Sequence, residues 1–253
     1  MNKVKASLRS GGFQPPRLTA RVSDHHNAKA PIPFRAFNEG GELRIYDHGL
    51  LPHWRQTGCT YFVTFRLADS IPRIVLEDIE DKRIRWLKSR AINPDDLNWK
   101  SQLAKLPICE QRIYDEVVAS LVNSSLDECH GSCVLKEEAV GNKVAHALNF
   151  FHGERVLTGD FVVMPNHVHV LLTPITGFEL EDILHSVKSY TANEINKLLN
   201  RNESFWQRES YDHIVRDAEQ LEAYQQYIGV NPLKAKLREG EFILSSAVYQ
   251  IVS

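Results

Sequence analysis

The stretch Phe161-Val-Val-Met-Pro-Asn-His-Val-His-Val-Leu-Leu172 constrains this chain more than any other part of it. Two apolar, β-branched runs meet at Met164-Pro165-Asn166, so the stretch predicts two strands, Arg155 to Val163 and His167 to Thr173, folded into a hairpin. Side chains alternate faces along a strand, which puts His167 and His169 on one face, about 6.6 Å apart, and Val168 and Val170 on the other. Two neutral imidazoles so placed are a partial ligand set for a divalent metal, with positions left for water or a phosphate. A bare His-x-His is a weak signal, and it is equally a pair of polar residues on a solvated strand face.

The next segment, Leu180 to Leu199, has apolar residues at helical spacing. Leu180, Leu184, Val187, Thr191 and Leu198 form a stripe, and at 100° per residue Glu194 falls about 20° from Val187, inside it, with Tyr190 about 60° away on its flank. Ionised carboxylates are rarely buried without a partner, and a metal held by the two histidines would be such a partner. Tyr190 and Glu194 are one helical turn apart, about 6 Å in rise.

Met164-Pro-Asn-His-Val-His-Val-Leu-Leu172, followed by Val187-Lys-Ser-Tyr-Thr-Ala192 and Phe205-Trp-Gln-Arg208, resembles the REP-associated tyrosine transposases, which are single-tyrosine HUH endonucleases. The likeness runs from about Pro52 to Leu237, through Tyr61-Phe-Val-Thr-Phe-Arg66 and Tyr224-Gln-Gln-Tyr-Ile-Gly-Val-Asn-Pro232. The resemblance implies that His167 and His169 hold Mg²⁺ or Mn²⁺, that Tyr190 is the nucleophile, and that the fold is ferredoxin-like. Related insertion-sequence transposases carry a glutamine as third ligand one turn after the tyrosine. Glu194 stands at that spacing here, so its role as a ligand is inferred from position and not from identity.

A chain of 253 residues with 43% hydrophobic content can bury a sizeable core as one large or two small domains. No apolar run approaches the ~18 residues of a membrane span, and no apolar signal core follows the basic N-terminus, which places the protein in the cytoplasm. Cys59, Cys109, Cys129 and Cys133 lack zinc-ribbon spacing and read as free thiols. A net charge of −2 does not favour nucleic acid, but local charge matters more. Lys3, Lys5, Arg9, Arg17 and Arg21 stand in an N-terminal stretch without acids, and Lys82, Arg83, Arg85, Lys88 and Arg90 are crowded together. Each group either follows a DNA backbone or is ordinary solvated surface.

In chain order, residues 1–57 read as an extended or partly disordered arm and residues 58–253 as the catalytic domain, with an insertion near 91–107. A strand at Cys59 to Ala68 precedes a helix capped by Asp69-Ser70 and reaching about Arg90. Further helices are expected at about 109–122, 136–151 and 217–228, the last ending before Asn231-Pro232. Strands are expected near 211–216 and within 242–252. The fold class is α+β: an antiparallel sheet, ferredoxin-like by resemblance, with helices packed on one face.

A tyrosine hydroxyl ionises near pH 10, so attack on a phosphodiester at neutral pH needs help. A divalent ion supplies it by binding non-bridging phosphate oxygens and aligning the scissile bond. The product is a 5′-phosphotyrosine and a free 3′-hydroxyl, and because one phosphodiester replaces another, strand transfer needs no ATP. Lys188, Trp206, Arg208, His213 and Arg216 interleave basic, aromatic and imidazole groups as a single-strand binding surface does. The leading reading is therefore a strand transferase for single-stranded or hairpin DNA, with no organic cofactor and no membrane partner, working as a monomer or homodimer. The alternatives are a silent binder of structured repeat DNA or RNA, and a phosphodiesterase using metal-bound water with Tyr190 merely structural.

Overall fold

A computed structural model describes residues 30–46 and 53–251. The basic N-terminal stretch through Arg21, and His25, His26 and His48, lie outside the described residues. Short strands β1 (Ile32–Phe34), β2 (Arg44–Tyr46) and β3 (His53–Arg55) lead into β4 (Tyr61–Arg66). Three helices follow, α1 (Arg73–Lys88), α2 (Trp99–Leu103) and α3 (Ile108–Asp127), and then α4 (Glu138–Phe150). The predicted hairpin is β5 (Val156–Val163) and β6 (His167–Pro174), followed by α5 (Leu180–Leu198), β7 (Tyr211–Ile214), α6 (Ala218–Lys234), β8 (Ile243–Ser245) and β9 (Tyr249–Ile251).

The main sheet has strand order β7-β4-β6-β5-β8, antiparallel throughout. Without the added edge strand β8, this is the β7-β4-β6-β5 arrangement of a ferredoxin-like sheet, with β4 and β6 as its central pair. Period-2 alternation decides what each face buries. Tyr61, Val63, Phe65, Val168, Val170 and Leu172 pack with Val144 and Leu148 of α4 and with Ile183, Leu184, Val187 and Ile195 of α5. Phe62, Val162 and Leu171, of the opposite parity, pack with Leu221 and Ile228 of α6. The expected one-sided helix layer thus holds for α4 and α5, while α6 covers the other face. His167 and His169 share the parity of Leu171, so they lie on the α6 side.

Helix α6 begins with a reciprocal cap. Asp217 Oδ1 accepts from Gln220 N at 2.7 Å while Gln220 Oε1 accepts from Arg216 N at 2.8 Å, an arrangement that stabilises a helix start by about 1 kcal/mol. The helix does not stop at Ile228. It runs through Pro232, which lies inside the helix near its end, to Lys234. A proline there removes only one late intrahelical hydrogen bond, and the fully buried Asn231 fastens the last turn to α3 through Asp127. The cap expected of Asp69 and Ser70 also differs: Pro72 holds the N-cap position of α1, and Asp69 Oδ2 instead accepts from Ser132 N at 2.8 Å.

The 91–107 segment is no bare loop. Leu87, Ile92, Leu103, Tyr114 and Val118 form a small core of their own, joining α1, α2 and α3. The described part of residues 1–57 is built into the body, since β1 pairs in parallel with β9, and Arg55 and His53 both bond the buried Asp212. Gly159, at the register shift in β5, admits the Tyr249 ring where any side chain would collide with it.

Candidate active site

His167 and His169 are fully buried, and their Nε2 atoms are 2.9 Å apart. The tautomer of His167 follows from its neighbours. Asn166 Nδ2 donates to the His130 carbonyl at 3.1 Å, so the atom facing His167 Nδ1 at 2.7 Å is Asn166 Oδ1, which can only accept. The proton of His167 is therefore on Nδ1, and its Nε2 presents a lone pair. His169 Nδ1 is held by Thr64 Oγ1 at 2.7 Å. Outer partners of this kind orient imidazoles that bind metals. Burial lowers His167 to about 3, and burial together with His167 carries His169 well below the ordinary value, so both rings are neutral at pH 7, the form a metal requires.

Helix α6 supplies the opposite wall. Phe62 stacks on Tyr224 with ring centroids 4.2 Å apart and on His169 at 5.4 Å, and Tyr227 meets His169 edge-on at 5.0 Å. The Tyr227 hydroxyl is 3.5 Å from His169 Nε2. Burial holds its phenol above the ordinary value, an effect the Asn231 amide opposes only in part. Asn231, one turn beyond Tyr227, donates to Asp127 Oδ1 at 3.4 Å, whereas its own Oδ1 is buried without a partner. Such an acceptor costs about 1–3 kcal/mol unless an ion or water completes it. Among the described residues no group of three or more His, Cys, Asp or Glu could hold a metal. The two imidazole Nε2 atoms and, on the facing helix, an unpartnered amide oxygen are nitrogen and oxygen donors of the kind that suits Mg²⁺ or Mn²⁺.

The structure brings His167 and His169 together and leaves Tyr190 and Glu194 apart from them. Both belong to α5, which packs on the Val168 and Val170 face, so the sheet separates them from the imidazoles. Tyr190 is 49% exposed and lines a shallow apolar hollow with His146, Phe150 and Phe151. Glu194 pairs with Lys197 at 3.0 Å and Lys143 at 3.6 Å, and hydrogen bonding to Lys197 holds its carboxyl below the ordinary value. The apolar stripe continues through the buried Ile195, while Leu198 is half-exposed, which moves the centre of the stripe away from Glu194.

The residues expected to touch DNA are divided in the same way. Lys188 spends its ammonium on the Gln207 and Arg208 carbonyls at 2.8 and 2.9 Å and on Ser210 Oγ at 3.1 Å, and burial lowers it to about 8. It pins the 207–210 segment to α5. Trp206 is core: its Nε1 donates to Thr191 Oγ1 at 2.9 Å and its ring meets Phe65 edge-on. Arg208 is exposed, while His213 and Arg216 line a cavity beside β7. In the basic run of α1, Lys82 pairs with Asp78, Arg83 with Glu80, and Arg90 with Glu110, so much of its charge is already answered within the chain.

Residues 142–231 match the family model described as transposase, IS200 like. The matched span includes His167, His169, Tyr227 and Asn231. No curated protein matches the chain. Among solved structures, one titled as a REP-associated tyrosine transposase bound to a REP hairpin is similar at 15% identity, with a TM-score of 0.43 over 74% of each chain. Tyr227 and Asn231 are the residues that sequence reasoning missed. The signal was present in Tyr224-Gln-Gln-Tyr-Ile-Gly-Val-Asn-Pro232, where a tyrosine is followed one turn later by an amide oxygen.

Proposed function

We propose that the protein is a metal-dependent DNA strand transferase that cleaves single-stranded DNA at hairpin-forming repeats through a 5′-phosphotyrosine, with Tyr227 as nucleophile. The observation that carries this reading is the Tyr227 hydroxyl, 3.5 Å from an imidazole pair whose Nε2 atoms converge. The match of the same segment to the IS200-like transposase family model supports DNA as substrate. The hairpin comes from the motif resemblance. No helix of the described residues is long and apolar enough to cross a membrane.

His167, His169 and the Asn231 oxygen would hold the ion. When bound, Mg²⁺ or Mn²⁺ supplies the positive charge that draws electron density from the scissile phosphate and offsets the desolvation that raises the Tyr227 phenol. Phe62 and Tyr224 fix the His169 ring, Asn166 fixes the His167 tautomer and Thr64 holds His169 Nδ1. Tyr227 is carried on a capped helix anchored at its far end through Asn231, so its oxygen is presented with little freedom to lose. Attack forms the bond from the Tyr227 oxygen to phosphorus and breaks the bond from phosphorus to the 3′ oxygen. The phenolic proton passes through water to the departing 3′-hydroxyl. Attack by another 3′-hydroxyl reverses the step and joins a new strand.

The test is incubation of the full chain with a 5′- or 3′-labelled hairpin carrying a single-stranded flank, with Mn²⁺, followed by a denaturing gel and mass spectrometry. The expected result is a covalent adduct on the peptide containing Tyr227. Cleaved ends without any protein-linked strand would replace this reading with attack by water.

A further inference from the structure

Two cations flank the histidine pair with no carboxylate to answer them. Arg66 ends β4 and pairs across the sheet with His167, as Thr64 does with His169. Residues directly opposite on neighbouring strands have Cβ atoms about 5 Å apart. Thr64 Oγ1 reaches His169 Nδ1 at 2.7 Å, and Arg66, two residues further on, shares its face, so the guanidinium springs from the wall that carries the imidazoles. It is partly buried, and its Nη1 meets neutral acceptors, Ser70 Oγ at 3.1 Å and the Leu67 carbonyl at 3.5 Å. Burial lowers its pKa, an effect that Glu209 opposes only in part.

Lys234 stands on the other wall. It lies about two turns beyond Tyr227 on α6, and its Nζ is 5.0 Å from the centre of the Tyr227 ring, a cation held over an aromatic face. The side chain is exposed. Asp127 is the acid that feels its charge, and that carboxyl is already engaged by the Asn231 amide. Arg55, Lys82, Arg83 and Arg90 all have a carboxylate partner, whereas neither Arg66 nor Lys234 forms an ion pair among the described residues. A guanidinium drawn partly out of water on the sheet, and an ammonium over the Tyr227 ring on the facing helix, are placed for an anion that enters between the two.

We propose that Arg66 and Lys234 are the phosphate contacts of this site, Arg66 holding the DNA backbone beside His167 and Lys234 the phosphate that Tyr227 attacks. The inference rests on the strand-transferase reading above and names the side chains that bind the strand. A guanidinium fork matches two phosphate oxygens at once and fixes the direction of the backbone. An ammonium on a flexible stem follows a phosphate whose geometry changes during attack, and it stabilises the charge on the phosphoryl oxygens as the Tyr227 oxygen approaches. Both residues lie outside the matched 142–231 segment, so the family likeness assigns them no role.

The full chain and its Arg66→Gln and Lys234→Gln variants are compared in binding a fluorescent hairpin with a single-stranded flank, by anisotropy over a range of salt and without metal. Each Gln variant is expected to bind about tenfold more weakly at low salt and to lose about 0.7 from the slope of log affinity against log salt, the share of one single-strand phosphate contact. Calorimetric Mn²⁺ binding is expected to be unchanged in both, since neither side chain is a ligand. With Mn²⁺ and saturating hairpin, Lys234→Gln is expected to form the adduct about 10²-fold more slowly, on the scale of one lost transition-state donor. Arg66→Lys and Lys234→Arg keep the charge and are expected to restore the slope, and Lys197→Gln, on the far side of the sheet, to alter none of these readings. If Arg66→Gln fails to fold, Arg66→Met, which keeps an apolar stem, carries that arm. An unchanged slope in either neutral variant, an equal loss in Lys197→Gln, lost Mn²⁺ binding, or failure of the charged variants to restore the slope overturns the proposal. A wild-type adduct with unchanged slopes in the variants overturns this inference alone, while reduced slopes without any wild-type adduct overturn the cleavage reading alone.

Discussion

Tyr227→Phe separates chemistry from architecture. The hydroxyl it removes is held weakly, 3.5 Å from His169 Nε2 and beside the Asn231 amide, so its loss forfeits about 1 kcal/mol, a typical net hydrogen bond. The ring keeps its edge-on packing against His169 at 5.0 Å and Phe62 at 5.9 Å. At about 2–4 °C per kcal/mol for a chain of this size, the melting temperature should fall by no more than about 4 °C. Cleavage should fall by about 10⁴-fold or more, because the lost oxygen is the one that forms the new bond to phosphorus. The paired control is Tyr190→Phe, at a half-exposed position where a substitution shifts stability by no more than about 0.5 kcal/mol. Its adduct yield should match the wild type. A denaturing gel measures both yields and a thermal melt verifies both folds. Undiminished adduct in Tyr227→Phe refutes the reasoning. The reverse pattern, with Tyr190→Phe inactive, would require Tyr190 to reach the histidines from a second copy of the chain.

Three other outcomes follow from the geometry. His167→Ala or His169→Ala each deletes one of two converging nitrogens and should abolish calorimetric Mn²⁺ binding with the sheet intact; unchanged binding in both would place the ion elsewhere. Asn231→Ala should weaken Mn²⁺ binding while Asn231→Asp, which keeps an oxygen in the same place, should retain it; equal affinity in Asn231→Ala and wild type would remove Asn231 from the ligand set. Asp212→Asn should destabilise the fold by about 1–3 kcal/mol in a denaturant melt, because it takes from the buried Arg55 its buried counter-charge and leaves it only the partly exposed Glu181; a loss under about 0.5 kcal/mol would contradict the burial. Burial alone would raise the Asp212 carboxyl, but hydrogen bonds from His53 and Arg55 hold it below the ordinary value, so its contribution is full above about pH 4 and lost as pH falls through that lowered value. His53 is lowered by burial yet raised overall by Asp212, so its share is present below about pH 6.5 and lost as pH rises through the raised value, and an NMR titration of Asp212→Asn should show that rise abolished.

The histidine pair was legible because it depends only on strand periodicity, which a run such as His167-Val-His-Val-Leu-Leu172 states without ambiguity. The same periodicity already contained the separation of Tyr190 from the histidines, on which the proposal of Tyr227 rests. If His167 and His169 face one way, Val168 and Val170 face the other, and the apolar stripe of α5 has to choose the apolar face. A tyrosine on α5 is then on the wrong side of the sheet, and the partner must come from a helix that crosses to the histidine face. Only α6 among the later helices does so, and its amphipathic signal is faint because it packs aromatic rings such as Tyr224 and Tyr227, which straddle polar and apolar classes. Pro232 compounded the loss by making Asn231 look like a residue beyond the helix end, when both are buried inside the last turns of the helix. The cavity beside β7 was not legible in any local pattern, because Trp54, Asp115 and His213 are far apart in sequence and meet only where β3, α3 and β7 converge.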